Sequence, residues 1–156
     1  MDLDAVEAEN PVRQFFRYYR SLADPGLPRW RQFDICAVPP NVVSHIALGR
    51  PEYRRGETRS PTHFVYTLQG GAIRMLTGLS MVGETIGRVP GFTRSSRVHE
   101  EIADAVDGRD AVCSRFDLAT RFSPELKITR GLFPFAGDDR PIERLVVVLS
   151  RAAHGS

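Results

Sequence analysis

The sequence predicts an α+β domain: one five-stranded, mostly antiparallel sheet with helices on one face and an extra amphipathic helix at the N-terminal end. Three observations predict it. Segments of alternating hydrophobicity come first as a pair and then as a triple, with a helical stretch between them. The last segment, "IERLVVVLS", is a near-continuous apolar run of the kind found in central strands. The link before it, "AGDDRP", carries the turn residues of a hairpin.

Taken in order, residues 1–9 read as a flexible tail and residues 10–24 as a flanking helix. Asn10-Pro11 supplies an N-cap followed by proline at the first helical position. Behind it Val12, Phe15, Phe16, Tyr19 and Leu22 share one stripe, while Arg13, Arg17 and Arg20 lie elsewhere on the helix. "ADPGLP" stops it. The stripe has to pack on its own domain or on a second copy of the chain. "RWRQFDICAVPPNVVSHIALG" then holds a short helical turn, a Pro-Pro break and an apolar stretch, Val42 to Leu48, whose last part suits a first strand with Ile46 and Leu48 on one face.

"FVYTLQGGAIRMLTG" changes rhythm in its middle. Phe64, Tyr66 and Leu68 alternate as in a strand, and Ile73, Leu76 and Leu79 then approach a helical period. The Gly-Gly pair between them turns a corner: neither the G-x-x-x-x-G-K-[ST] of a phosphate loop nor the G-x-G-x-x-G of a dinucleotide loop is present. Pro90-Gly91 marks another break. "TRSSRVHEEIADAVDG" is a helix with Val98, Ile102, Ala105 and Val106 as its seam and Gly108 at its end. "AVCSRFDLAT", "LKITRGLFPF" and "IERLVVVLS" complete the strands. Residues 27–151 thus form one domain, with no repeat or linker.

Composition and motifs exclude several functions. With 42% hydrophobic and 26% charged residues the chain is globular, and no apolar run approaches the roughly 20 residues needed to span a bilayer. The acidic start "MDLDAVEAEN" lacks the marks of a secretory signal, which makes a cytoplasmic location the default. Lys127 is the only lysine, so the +2 net charge rests on arginine. The cluster Arg50, Arg54, Arg55 and Arg59 is interrupted by Glu52 and Glu57 and reads as a solvated loop, not a nucleic-acid patch. Cys36 and Cys113 sit among apolar neighbours, outside any C-x-x-C, and read as buried free thiols. G-x-S-x-G and H-E-x-x-H are absent. His99, one position off its helix seam, is the candidate for facing a cavity and ligating haem.

"YTLQGGAIRMLTGLSMVGETI" resembles the part of PAS domains in which a strand ends in glycine, a helix follows, and a second glycine-bounded stretch, here Gly78 to Gly83, leads on. "LPRWRQFDICAVPPNVVSHIAL" before it, and "SRFDLATR" with "TRGLFPFAGDDRPIERLVVVL" after it, are similar to a bacterial group of small, stand-alone PAS-type proteins; the likeness spans about residues 27 to 150. The resemblance implies the PAS fold and a sensory or interaction module, with a small ligand between sheet and helices and a flanking helix that mediates dimers. The flavin-binding photosensors of this class use a reactive cysteine in a helical segment with asparagine and arginine. Neither Cys36 nor Cys113 has that setting, so flavin is not expected.

The expectation is therefore a cytoplasmic, non-catalytic PAS-like sensor that binds a small molecule, a signalling protein, or both. Its ligand (haem or another small molecule) is undetermined. Pocket candidates are Tyr66, Leu68, Ile73, Val98, His99, Ile102, Phe116, Leu132 and Val147. Arg74, Arg115 and Arg130 would anchor an anionic group if they turn inward, or form surface ion pairs if they do not. The homodimer stripe is Val12, Phe15, Phe16, Tyr19 and Leu22. With no kinase, cyclase or DNA-binding helix pair in the chain, a signal is expected to pass by protein contact. The alternatives are a small enzyme with His63 or His99 as general base, and a structural dimeric adaptor with a filled core.

Overall fold

Asn10 and Pro11 start the first helix as their chemistry dictates. In the computed structural model α1 runs Pro11–Leu22, and the Asn10 carboxamide oxygen accepts from the Val12 N–H at 2.9 Å. The same oxygen accepts from the Ser150 hydroxyl at 2.8 Å, so the buried cap also ties α1 to the last strand. The structure describes residues 1–23, 26–52, 63–86, 97–120, 125–138 and 142–152. Pro90-Gly91, the arginines at 54, 55 and 59, and the end of the "AGDDRP" turn fall outside them. No helix of the described residues is long and apolar enough to cross a membrane.

The strands are β1 (Ile46–Glu52), β2 (His63–Gln69), β3 (Val112–Leu118), β4 (Leu126–Ala136) and β5 (Ile142–Arg151). They form one antiparallel sheet in the order β2-β1-β5-β4-β3. The "VVVLS" run occupies β5 at its centre. Val42 and Val43 lie just before the sheet in a short helix, α2 (Pro40–Val43), entered through the Pro-Pro break. The free edge of β2 is covered by residues 83–86, whose backbone pairs with Phe64 and Tyr66.

The Gly-Gly pair is a corner, as expected. Gly70 leads into α3 (Gly71–Thr77), and a Cβ at residue 70 would land on the carbonyl of Ser44. The Gly70 and Ala72 N–H groups donate to the carbonyls of Ile46 and Ser44 at 2.8 and 3.0 Å. The helix over Val98–Asp107, α4, buries the expected seam of Val98, Ile102, Ala105 and Val106.

Alternation fails at Leu68. A bulge opposite Leu48/Gly49 leaves Thr67 unpaired and sets Leu68 across from Leu48, so Leu68 leaves the face of Phe64 and Tyr66 and is exposed.

The sheet is buried on both faces. On one, α3 and α4 cover Phe64, Tyr66, Phe116, Ile128, Leu132, Val147 and Leu149. On the other, Phe133, Phe135, Val146 and Val148 pack beneath α1. The expectation of helices on a single side holds for α3 and α4, whereas the extra helix takes the opposite face. The reason lies in β4 and β5, which are apolar on both sides, so one bare face would expose two phenylalanines to water.

Val12, Phe15 and Tyr19 are consequently buried within their own chain, and Phe16 and Leu22 are partly covered against the same cluster. This corrects the dimer stripe: its apolar area is used intramolecularly. Val12 comes close enough to β4 that a Cβ on Gly131 would sit 2.9 Å from its Cγ1. The Tyr19 hydroxyl donates to the Pro134 carbonyl at 2.8 Å, and burial raises its pKa. Phe15, Phe33, Phe133, Phe135 and Trp30 complete an aromatic cluster in which Trp30 stacks on Phe33 at 4.9 Å.

Residues 1–9 are also not a free tail. They form a turn over Leu3–Ala5, and Leu3 and Val6 are buried beside α1. Cys36, expected to be buried, is exposed on a 3-10 turn over Ile35–Ala37, because Val38 is the residue of that segment that turns into the core.

Candidate functional site

β3 is the last strand of the sheet, and a groove of about 390 Å³ wraps its edge. One wall is the polar side of α4, with Glu100, Glu101 and Asp104. The floor is Val112 to Phe116 of β3 together with Arg130 of β4, and Met1 closes one end. The strand supplies both of its faces here because it has no neighbour beyond it.

Arg130 is the most buried charge in the groove, at 2% exposure. Its guanidinium pairs with Glu101, Nε lying 3.1 Å from Oε2, and packs 4.5 Å from the centre of the Phe116 ring. A buried guanidinium needs such a carboxylate. Glu101 therefore fastens α4 to β4, although in the sequence it reads as helix-surface charge. Arg130 also faces Tyr66: burial pushes the Tyr66 phenol up to about 12, with the guanidinium acting in the opposite sense.

Arg115 turns to the α1 side of the edge, where its Nη2 is 2.9 and 3.0 Å from the two carboxylate oxygens of Glu7. Glu7's own backbone N–H, and then Arg115, hold that carboxyl below its ordinary value, against the opposing effect of burial. Cys113 lies on the same side, 3.9 Å from the Met1 sulfur, and burial pushes its thiol up to about 11. It is protonated at neutral pH and not an activated nucleophile.

Two polar atoms in the groove are buried without a hydrogen-bond partner among the described residues: Ser114 Oγ and Arg115 Nε. Ser114 stands across from Arg130 in the β3–β4 register.

Of the residues expected from sequence, Arg115, Phe116 and Arg130 line the groove. Tyr66, Ile73, Val98, Ile102, Leu132 and Val147 belong to the hydrophobic core on the same side of the sheet. Leu68, Arg74 and His99 are exposed and do not reach the groove. His99 falls on the solvent side of α4 because the seam takes Val98 and Ile102, so it does not face the interior as expected. His63 is exposed at the start of β2. Sequence reasoning missed Ser114, Glu101 and Glu7. The period-two pattern of β3 could have placed Ser114, but no local signal announces pairings 29 and 108 residues apart.

The strand order, with α3 and α4 on one face, defines the chain as a domain of PAS fold. The solved structures it matches include the LOV domain of the blue-light photoreceptor Aureochrome1 in its light state, with TM-score 0.54 and 11% identity over 71% of this chain and 83% of that one. Another is a light-oxygen-voltage domain studied with a flavin analogue, with TM-score 0.54 and 8% identity over 70% of this chain and 77% of that one. No protein-family model and no curated protein matches the sequence. Cys113 belongs to the cluster on the α1 side and Cys36 is exposed, while Tyr66, Ile73, Phe116 and Leu132 belong to the buried cluster on the α3 and α4 side.

Proposed function

We propose that this chain is a PAS-type sensory module that takes a small, acceptor-rich molecule with an apolar body into the groove around β3. It passes that event to a protein partner without chemistry of its own. The reading keeps the cytoplasmic setting expected from the sequence. The observation that carries it is two buried donors without acceptors among the described residues, on the two sides of the β3 edge: Ser114 Oγ on the α4 side, with Phe116 and Val112, and Arg115 Nε on the α1 side. A buried donor without an acceptor costs about 1–3 kcal/mol, which a carboxylate, carbonyl or phosphoryl oxygen would offset. Phe116 and Val112 would receive the apolar part.

Such a ligand would compete with the chain's own carboxylates. Glu101 holds α4, and Glu7 holds the N-terminal segment, through the same two arginines that line the groove. Occupation would therefore alter how firmly α4 and residues 1–9 sit on the sheet, a change a partner can read.

The test compares native and denatured masses of the purified protein, then its melting in the presence of individual carboxylic and phosphorylated compounds. Extra mass or a raised melting temperature, lost in Ser114→Val with the fold intact by circular dichroism, is expected. An empty native spectrum together with no shift from any compound would sink the reading.

A further inference from the structure

We propose that the outward face of α1 is a docking surface for an acidic, partly apolar segment of a partner protein, and that the chain's own Asp4 is its resident competitor. This goes beyond ligand binding at β3 and rests on different residues.

Arg13, Phe16, Arg17 and Arg20 stand at i, i+3, i+4 and i+7, so they share one face of α1. They line a recess of about 280 Å³ with the aromatic ring in it. The Arg20 guanidinium lies 4.2 Å from the centre of the Phe16 ring, which it holds half-buried between charges. Two of the three guanidiniums share one carboxylate among the described residues: Asp4 lies 3.1 Å from Arg13 and 3.6 Å from Arg20. Arg17 is exposed and has no carboxylate of its own there. Arg13 Nε is buried without an acceptor. The recess is thus short of negative charge and of acceptors.

The chain itself demonstrates what the surface takes. The Leu3–Ala5 turn lays Asp4 onto the arginines while Leu3 and Val6 sink into the adjoining core, and the Leu3 carbonyl accepts from Arg13 at 2.9 Å. A polypeptide with carboxylates around an apolar side chain repeats this chemistry. A recess with an aromatic ring among its guanidiniums suits an acidic segment that also carries an apolar side chain. The same segment carries Glu7 to Arg115 and Met1 to the β3 groove, so loosening it there would also withdraw Asp4 here.

The probe is a short, labelled helical peptide with glutamates spaced i, i+4 around leucine, compared with its glutamine counterpart by fluorescence anisotropy on the full chain. The glutamate peptide is expected to bind, and Arg17→Glu with Arg20→Glu to weaken it about tenfold or more. Asp4→Asn, which removes the competitor, is expected to tighten it, and raised salt to weaken it. Arg17 is exposed with no ion pair among the described residues, so Arg17→Glu alone should keep the wild-type circular dichroism and melting and still weaken binding. The double variant, which also loses the Arg20–Asp4 pair, is compared only where its circular dichroism shows the fold retained. The proposal is overturned if the glutamate peptide does not bind, if both peptides bind equally, if the double variant binds as wild type, or if Asp4→Asn leaves affinity unchanged. It is equally overturned if the arginine-dependent binding is found only with phosphatidylserine vesicles or a DNA duplex.

Discussion

Truncating Phe15 to alanine tests the central packing statement, that α1 closes the second face of its own sheet. Phe15 has no exposed surface, and its ring meets Phe133 at 4.7 Å, Tyr18 at 5.7 Å and Phe33 at 6.4 Å. The floor of this cluster is hydrogen-bonded sheet, which cannot collapse into the space left behind. Loss of a buried phenylalanine under such conditions costs about 3–5 kcal/mol. With a urea dependence of about 2 kcal/mol per molar for a domain of this size, the unfolding midpoint should fall by roughly 2 M. Equilibrium unfolding followed by circular dichroism and by Trp30 fluorescence gives the number, since Trp30 belongs to the same cluster. Repeating it at two protein concentrations separates folding from assembly: an intramolecular face gives the same midpoint at both. A loss below about 1 kcal/mol, or a wild-type midpoint that climbs with concentration, would place the stripe between two copies and refute the packing described here.

Two further outcomes are expected. Glu7 has a depressed pKa in the folded chain, so its contribution is fully present at neutral pH and is lost as pH falls from the ordinary carboxylate value of 4.5 through the lower folded one. Stability of the wild type should therefore drop more between pH 5 and pH 3 than that of Glu7→Gln; parallel curves would remove the Glu7–Arg115 clamp. Thiol labelling near pH 8 should modify exposed Cys36 quickly and buried, protonated Cys113 only on unfolding. Equal rates would contradict the placement of β3.

Sequence alone determined the elements and their periods. Asn10-Pro11 fixed the start of α1, the alternating runs fixed the strands, and the seam of Val98, Ile102, Ala105 and Val106 fixed the buried side of α4. These are local facts, set by backbone stereochemistry and by which side chains leave water within one turn or one pleat. Tertiary structure decided what faced what. The aromatic stripe of α1 fits its own sheet or a second copy equally well by pattern, and only the doubly apolar β4 and β5 settled the matter. Leu68 obeyed the alternation up to a bulge whose cause lies in the pairing with β1. Glu101 read as helix-surface charge and Glu7 as part of a flexible tail until the fold brought Arg130 and Arg115 to them, because an ion pair depends on distance in space and leaves no trace in sequence spacing.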